Sequence, residues 1–235
     1  MTRALVVGGT GVVGAAVLRV LRARGVDATF TYLRTHARAE ALAAETGHRP
    51  VALDLADAAA VTALVRGLFE GDAAPAVAVL CAGVLEPTPA LDLDDAAWDR
   101  AQAVNARGPF VACRELARGM AARGGGDIVV VGALDRGQSL PIPVAFAAAQ
   151  GLLGALVMAL AREVGPRGVR VNLLALGLLD QGLSLGLPGA ARADYLEYSA
   201  LRRFGTPAEA AASIAWLALD NRYMTGKVLA VNGGI

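Results

Sequence analysis

The stretch that most narrows what this chain can fold into is Gly8-Gly9-Thr10-Gly11-Val12-Val13-Gly14, because of what flanks it. Before it, residues 3–7 read RALVV, a short apolar run fit for a strand buried on both faces. After it, Val17, Leu18 and Leu21 recur at helical spacing. A strand, a glycine turn and a helix in close succession form the opening of a dinucleotide-binding unit. Glycines let the turn close tightly and let backbone N–H groups approach a pyrophosphate. The helix N-terminus then turns its partial positive charge toward that anion. The spacing is Gly8-x-x-Gly11-x-x-Gly14, and Thr10, Val12 and Val13 share the turn, so all six positions are assigned to the cofactor.

The alternation continues down the chain. Residues 28–33, 50–55, 76–82, 127–132, 169–175 and 227–234 read as further strands, with helical patterns between them. Seven strands alternating with helices imply a single α/β domain over 1–235, a doubly wound parallel sheet with helices on both faces. A hydrophobic fraction of 55% against 18% charged residues suits such a two-sided core and a buried subunit interface. The formal net charge of +1 gives no electrostatic case for nucleic acid or an anionic membrane. No apolar run looks long and unbroken enough to cross a bilayer alone; residues 144–160 come nearest and read as a core helix. Cys81 and Cys113 lack metal-ligand spacing and read as core thiols in a reducing, cytoplasmic setting, with no metal site. Arg3 runs straight into the first strand, so no signal peptide is expected. His36 and His48 flank a polar helix and read as surface residues.

The second strand ends Tyr32-Leu33-Arg34-Thr35, where a site for NADH ordinarily ends in an acid that holds the ribose 2′-OH. Arg34 instead suits a 2′-phosphate through charge-assisted bonds, so NADPH is expected over NADH, with Arg34 and Thr35 in the site. Asp57 is the better cap for the helix that follows residues 50–55, which frees Asp54 for a ligand. Residues 178–200 are glycine-rich, then helical, and an excursion of that length reads as a substrate lid.

The segment from Ile128 to Glu163 resembles the short-chain dehydrogenase/reductase family, in which a buried strand ending in a catalytic Ser leads to a helix that begins near a Tyr-x-x-x-Lys motif. Aligned on Glu163, Ala133 stands at the Ser, Phe146 at the Tyr and Gln150 at the Lys. Other family-like motifs follow in order: Asp54-Leu55 as the adenine pair, and Leu80-Cys81-Ala82-Gly83 in place of Asn-Asn-Ala-Gly. Asn105 matches the Asn of helix four, Leu176-Gly177 the Pro-Gly turn, and residues 203–209 the closing motif. The resemblance covers the whole chain. It implies cofactor contacts at Asp54, Leu55, Cys81, Ala82, Gly83, Asn105, Gln150, Gly177, Leu178 and Leu179. It also implies pairing of subunits through the two long helices near 94–120 and 144–165.

In that family, hydride from the nicotinamide reduces a carbonyl while Tyr donates the proton, Lys tunes the Tyr and Ser positions the carbonyl. Here Phe146 has no O–H, Ala133 no donor and Gln150 no charge, so no catalytic residue is assigned. Three readings remain open. The substrate carries its own acid, as a phenol beside the ketone of an aromatic polyketide such as an angucyclinone does. Alternatively, Ser139, Tyr195 or Tyr198 substitutes as the acid. Otherwise the protein binds NADP as a sensor without turnover. The first is favoured, because the cofactor features are largely kept while three catalytic positions are neutralised together. The substrate pocket is then expected from Ala133, Ser139, Phe146, Tyr195 and Tyr198.

Overall fold

The computed structural model describes residues 2–133 and 142–235. Seven parallel strands form one sheet in the order β3-β2-β1-β4-β5-β6-β7. They are β1 (Arg3–Val7), β2 (Asp27–Tyr32), β3 (Arg49–Ala52), β4 (Val77–Leu80), β5 (Gly126–Gly132), β6 (Val169–Leu176) and β7 (Val228–Val231). The β1 bounds are those read from RALVV; β3 stops at Ala52, short of the expected 55, because Asp54 turns the chain by accepting the Ala56 N–H at 2.9 Å.

Among the described residues, eight α-helices connect and cover the strands: α1 (Val12–Ala23), α2 (His36–Thr46), α3 (Ala58–Glu70), α4 (Asp95–Gln102), α5 (Gly108–Ala122), α6 (Val144–Val164), α7 (Gly189–Tyr198) and α8 (Pro207–Ala215). The chain winds outward from β1 to β3, then crosses back to place β4 beside β1. That reversal opens a crevice at the C-terminal ends of β1 and β4, where ligands of such sheets lie. Two cores follow from the two faces. Leu5, Val65, Leu116, Ile128 and Val157 pack on one side, and Val6, Leu18, Phe30, Val79 and Ile214 on the other.

Local chemistry sets the helix starts. Asp57 caps α3 by accepting the N–H groups of Ala59 and Ala60, as its position suggests. Asp94 caps α4, and Thr206 with Glu209 forms a reciprocal capping box on α8 after which Pro207 fills the first turn. The long helix expected from 94 to 120 is not continuous: a π-helical turn, Ala103–Arg107, separates α4 from α5. By length and composition Val144–Arg167 could cross a bilayer, with mean hydropathy 2.0, which differs from the reading of the sequence. Its Ala149, Leu153, Val157 and Val164 are nevertheless buried against the sheet, as a core helix requires. His48 is also not at the surface. Its ring is buried between elements, with Nδ1 accepting the Ala28 N–H and Nε2 donating to Leu18 O at 3.0 Å.

Candidate cofactor and substrate site

A cavity of ≈ 520 Å³ occupies the crevice. It runs from Thr10, Tyr32, Leu33, Arg38 and Asp54 past the glycine turn to Ala133, Phe146 and Gln150. The glycine turn is built for close approach. Gly8 has φ +84, and a Cβ there would lie 2.8 Å from the Ala82 backbone. The Thr31 hydroxyl accepts the Gly8 N–H at 3.0 Å and fixes the turn against β2. Gly14 lies beneath the turn, where a Cβ would strike the Gly8 carbonyl; it is a packing glycine and does not line the cavity. Helix α1 begins with Gly11 as an uncapped N-cap and no acidic residue in its first turn. Its free amides and positive end therefore fit a pyrophosphate. Gly8, Thr10, Gly11, Val12 and Val13 would hold that group.

At the ribose end the structure revises one assignment. Arg34 and Thr35 are exposed and lie off the cavity; the Thr35 hydroxyl is spent on Thr10 at 2.9 Å. The chain leaves β2 at Tyr32, and the first turn of α2 brings Arg38, not Arg34, to the wall. No hydrogen bond or ion pair engages the Arg38 side chain among the described residues. Leu55, Cys81, Ala82, Gly83, Gly177, Leu178 and Leu179 all line the cavity. Burial pushes the Cys81 thiol up to about 12, so it is a neutral wall group and not a nucleophile.

Asn105 sits in the π-helical turn, 3% exposed. Its Oδ1 accepts the Val84 N–H and its Nδ2 donates to Val84 O, both at 2.9 Å. The side chain therefore clamps the loop after β4, with both ends committed. That clamp is a structural role for the side chain.

The chemical end is apolar. Phe146 lines the cavity half-buried, and one turn deeper on the same face of α6 Gln150 is 8% exposed. Gln150 Oε1 accepts the Ala133 N–H at 2.8 Å, a link no sequence signal announced. Of the three alternative acids, Tyr195 lines the cavity but is 1% exposed and donates its hydroxyl to Asn232 O at 2.6 Å. Burial raises its pKa, and its ring stacks on Phe204. Tyr198 is 68% exposed and lies off the cavity, a correction to its place in the pocket, because α7 turns that face to solvent. Ser139 lies outside the described residues.

The segment 178–200 begins as a bridge between Leu179 and Gly205, then forms a 3₁₀ turn, Gly182–Gly186, and α7. The Ser184 hydroxyl accepts the Leu179 N–H at 2.9 Å. A Cβ on Gly182 would come within 2.6 Å of Val12, and Leu183 lies against Gly83, so the turn closes over the glycine loop. Val84, Leu85, Ile142, Leu183 and Leu187 complete an apolar mouth. Among the described residues no group of His, Cys, Asp and Glu could hold a metal ion.

Residues 10–235 match the family described as Enoyl-(Acyl carrier protein) reductase. The chain is 33% identical over 232 residues to the cyclic-di-GMP-binding biofilm dispersal mediator protein of Escherichia coli, covering 97% of this chain and 94% of that one. It is 37% identical over 204 residues to the L-tagatose-forming galactitol 2-dehydrogenase of Cereibacter sphaeroides, covering 83% and 78%. Among solved structures, a short-chain dehydrogenase/reductase from Serratia marcescens superposes with a TM-score of 0.89 at 32% identity, covering 99% and 97%. A blue fluorescent protein from a metagenomic library, in complex with NADPH, superposes with a TM-score of 0.89 at 30% identity, again covering 99% and 97%.

Proposed function

This chain belongs to the short-chain dehydrogenase/reductase family of nicotinamide-dependent oxidoreductases, and we propose that within it the protein is an NADPH-dependent reductase of a ketone on an aromatic polyketide, of the angucyclinone kind. The observation that carries this reading is the chemical end of the cavity. Aligned on Glu163, Ala133, Phe146 and Gln150 take the positions of the family's acid set; all three line the cavity, and Tyr195 donates its hydroxyl to Asn232 O. General acid catalysis contributes ~10²–10⁴-fold, so a plain ketone would be reduced poorly here. A ketone with a hydrogen-bonded phenol beside it arrives already polarised and brings its own proton.

When bound, the nicotinamide supplies hydride to the carbonyl carbon. The protein's part is to hold both partners and exclude water. Gly8, Gly11 and Val12 would cradle the pyrophosphate, and Arg38 would offer its guanidinium to a 2′-phosphate. Phe146, Leu85, Ile142 and Leu187 offer a flat aromatic substrate an apolar slot within the usual size of small-molecule sites. The pattern of replaced positions resembles the angucyclinone ketoreductase of the simocyclinone pathway. NADPH binding by a similar structure supports the cofactor choice.

The test is direct: purified protein, NADPH and an angucyclinone ketone, with nicotinamide absorbance followed over time. Consumption of NADPH only when the ketone is present supports the reading. A second reading, a nucleotide-binding regulator without turnover, is favoured by one observation, the name of the Escherichia coli relative. Tight NADPH binding without consumption would support that reading instead. Pairing of subunits through α5 and α6 is proposed from the exposed Phe110, Leu152 and Met158 on those helices.

A further inference from the structure

We propose that Gln150 hydrogen-bonds the ketone oxygen through Nε2, as a neutral donor whose polarity is fixed by the backbone of Ala133; this assignment rests on the reductase reading above. Three observations converge on it. First, Oε1 accepts the Ala133 N–H at 2.8 Å. Only the carbonyl end of an amide can accept from an N–H, so the Nε2 end is the one left over. Second, the side chain is 8% exposed and lines the cavity, and among the described residues nothing accepts from Nε2. Third, Gly132 leaves the space for this clasp: a Cβ there would come within 2.8 Å of Oε1. The end of β5 and the side chain on α6 thus form one unit.

Other polar side chains line the same cavity, and several of them are partly engaged. Asn105 has both ends on Val84, and Tyr195 donates to Asn232 O. Asn232 donates to Ile235 O and accepts from Gly234 N. Cys81 is a weak donor, and Ser184 Oγ accepts the Leu179 N–H at the root of the 178–200 segment, which leaves its own O–H to give. Gln150 lines the cavity beside Phe146, Leu153 and Val130, so its amide is a polar group in an otherwise apolar stretch of wall. A ketone brings an oxygen that only accepts, and the bond to it strengthens as negative charge develops.

The step balances without a protein acid. The carbonyl carbon gains hydride as the reduced nicotinamide is oxidised, and the C=O π pair moves to oxygen. The substrate's adjacent phenol gives that oxygen its proton and becomes phenolate, which water reprotonates. The Gln150 N–H stays on nitrogen throughout.

Gln150→Glu separates the donor from the clasp. A carboxylate still accepts the Ala133 N–H, so the end of β5 stays in place, but an ionised carboxylate has no N–H or O–H to give. The expected result is a fall in kcat of roughly 10²-fold at high pH, with recovery as pH falls and the Glu carboxyl protonates. The wild-type protein stays flat across the same range, and NADPH affinity moves far less than kcat. In parallel, the carbonyl stretch of an angucyclinone ketone bound with NADP⁺ is read in wild type and in Gln150→Met. It is expected at lower wavenumber in wild type. A Gln150→Glu profile parallel to wild type, or a loss of NADPH affinity that accounts for the whole kinetic loss, overturns the assignment. The same is true of a ketone that binds both proteins with one carbonyl frequency. A ketone that does not bind the wild-type protein at all overturns the reductase reading itself.

Discussion

Arg38→Ala is the substitution that probes the ribose end most sharply. Arg38 lines the cavity with Thr10, Tyr32 and Asp54, and no ion pair holds it among the described residues. Its guanidinium can therefore turn to a 2′-phosphate without breaking an existing bond. Hydrogen bonds to a charged group contribute ~1.5–3 kcal/mol. The side chain is exposed, so solvent screening places the expected loss at the lower end, about 1.5–2 kcal/mol, or roughly 10–30-fold in the NADPH dissociation constant. NADH has no 2′-phosphate and should bind the variant almost as it binds wild type. Arg34→Ala, off the cavity, should leave both cofactors unchanged. Nicotinamide fluorescence titrations of the three proteins with both cofactors measure this. Repeating them from about 0.1 M to 1 M salt should shrink the NADPH advantage, as the screening length falls from ~10 to ~3 Å. Equal losses of NADPH and NADH in Arg38→Ala, or a larger NADPH loss in Arg34→Ala, would refute the reasoning.

Three further outcomes are expected. Restoring the family's acid set with Ala133→Ser, Phe146→Tyr and Gln150→Lys should not raise turnover of the true substrate; a gain of ~10²-fold or more would mean that a missing acid was limiting. Burial pushes the Glu115 carboxyl up, but bonds from Arg66, Arg114 and Arg118 outweigh it and hold the pKa at about 2, against an ordinary 4.5. That group's contribution to stability is complete above pH 4.5 and is lost as pH falls toward 2, so Glu115→Gln should be destabilised by about 2 kcal/mol at pH 7 and converge with wild type in acid, read from urea midpoints. Asn105→Ala should cost ~1–3 kcal/mol by stranding the Val84 N–H and C=O, with faster exchange of the Val84 amide as the local readout.

Much of the scaffold was legible because it rests on local rules. RALVV fixed β1 to the residue, and Asp57 marked a helix start that side-chain geometry makes obligatory. What stayed hidden depends on tertiary placement. Arg34 and Arg38 are the same residue type, and only the way α2 follows β2 decides which one reaches the wall. His48 sits beside a polar helix, yet its ring bridges α1 and β2 in the interior. Nothing in the apolar period near Asn105 distinguishes a π-helical turn from the helix on either side. Gln150 was placed by alignment with a Lys, but its bond to Ala133 N follows from the register of β5 against α6, which no residue type encodes. Tyr195 and Tyr198 look alike in sequence and differ only in which side of α7 faces the sheet.

The most direct measurement concerns the source of the proton. An angucyclinone ketone and the same compound with its neighbouring phenol capped as a methyl ether are offered to the protein with NADPH, and product is quantified for each. The account predicts that the free phenol is reduced and the ether is bound but left unreduced. Equal reduction of both would contradict it.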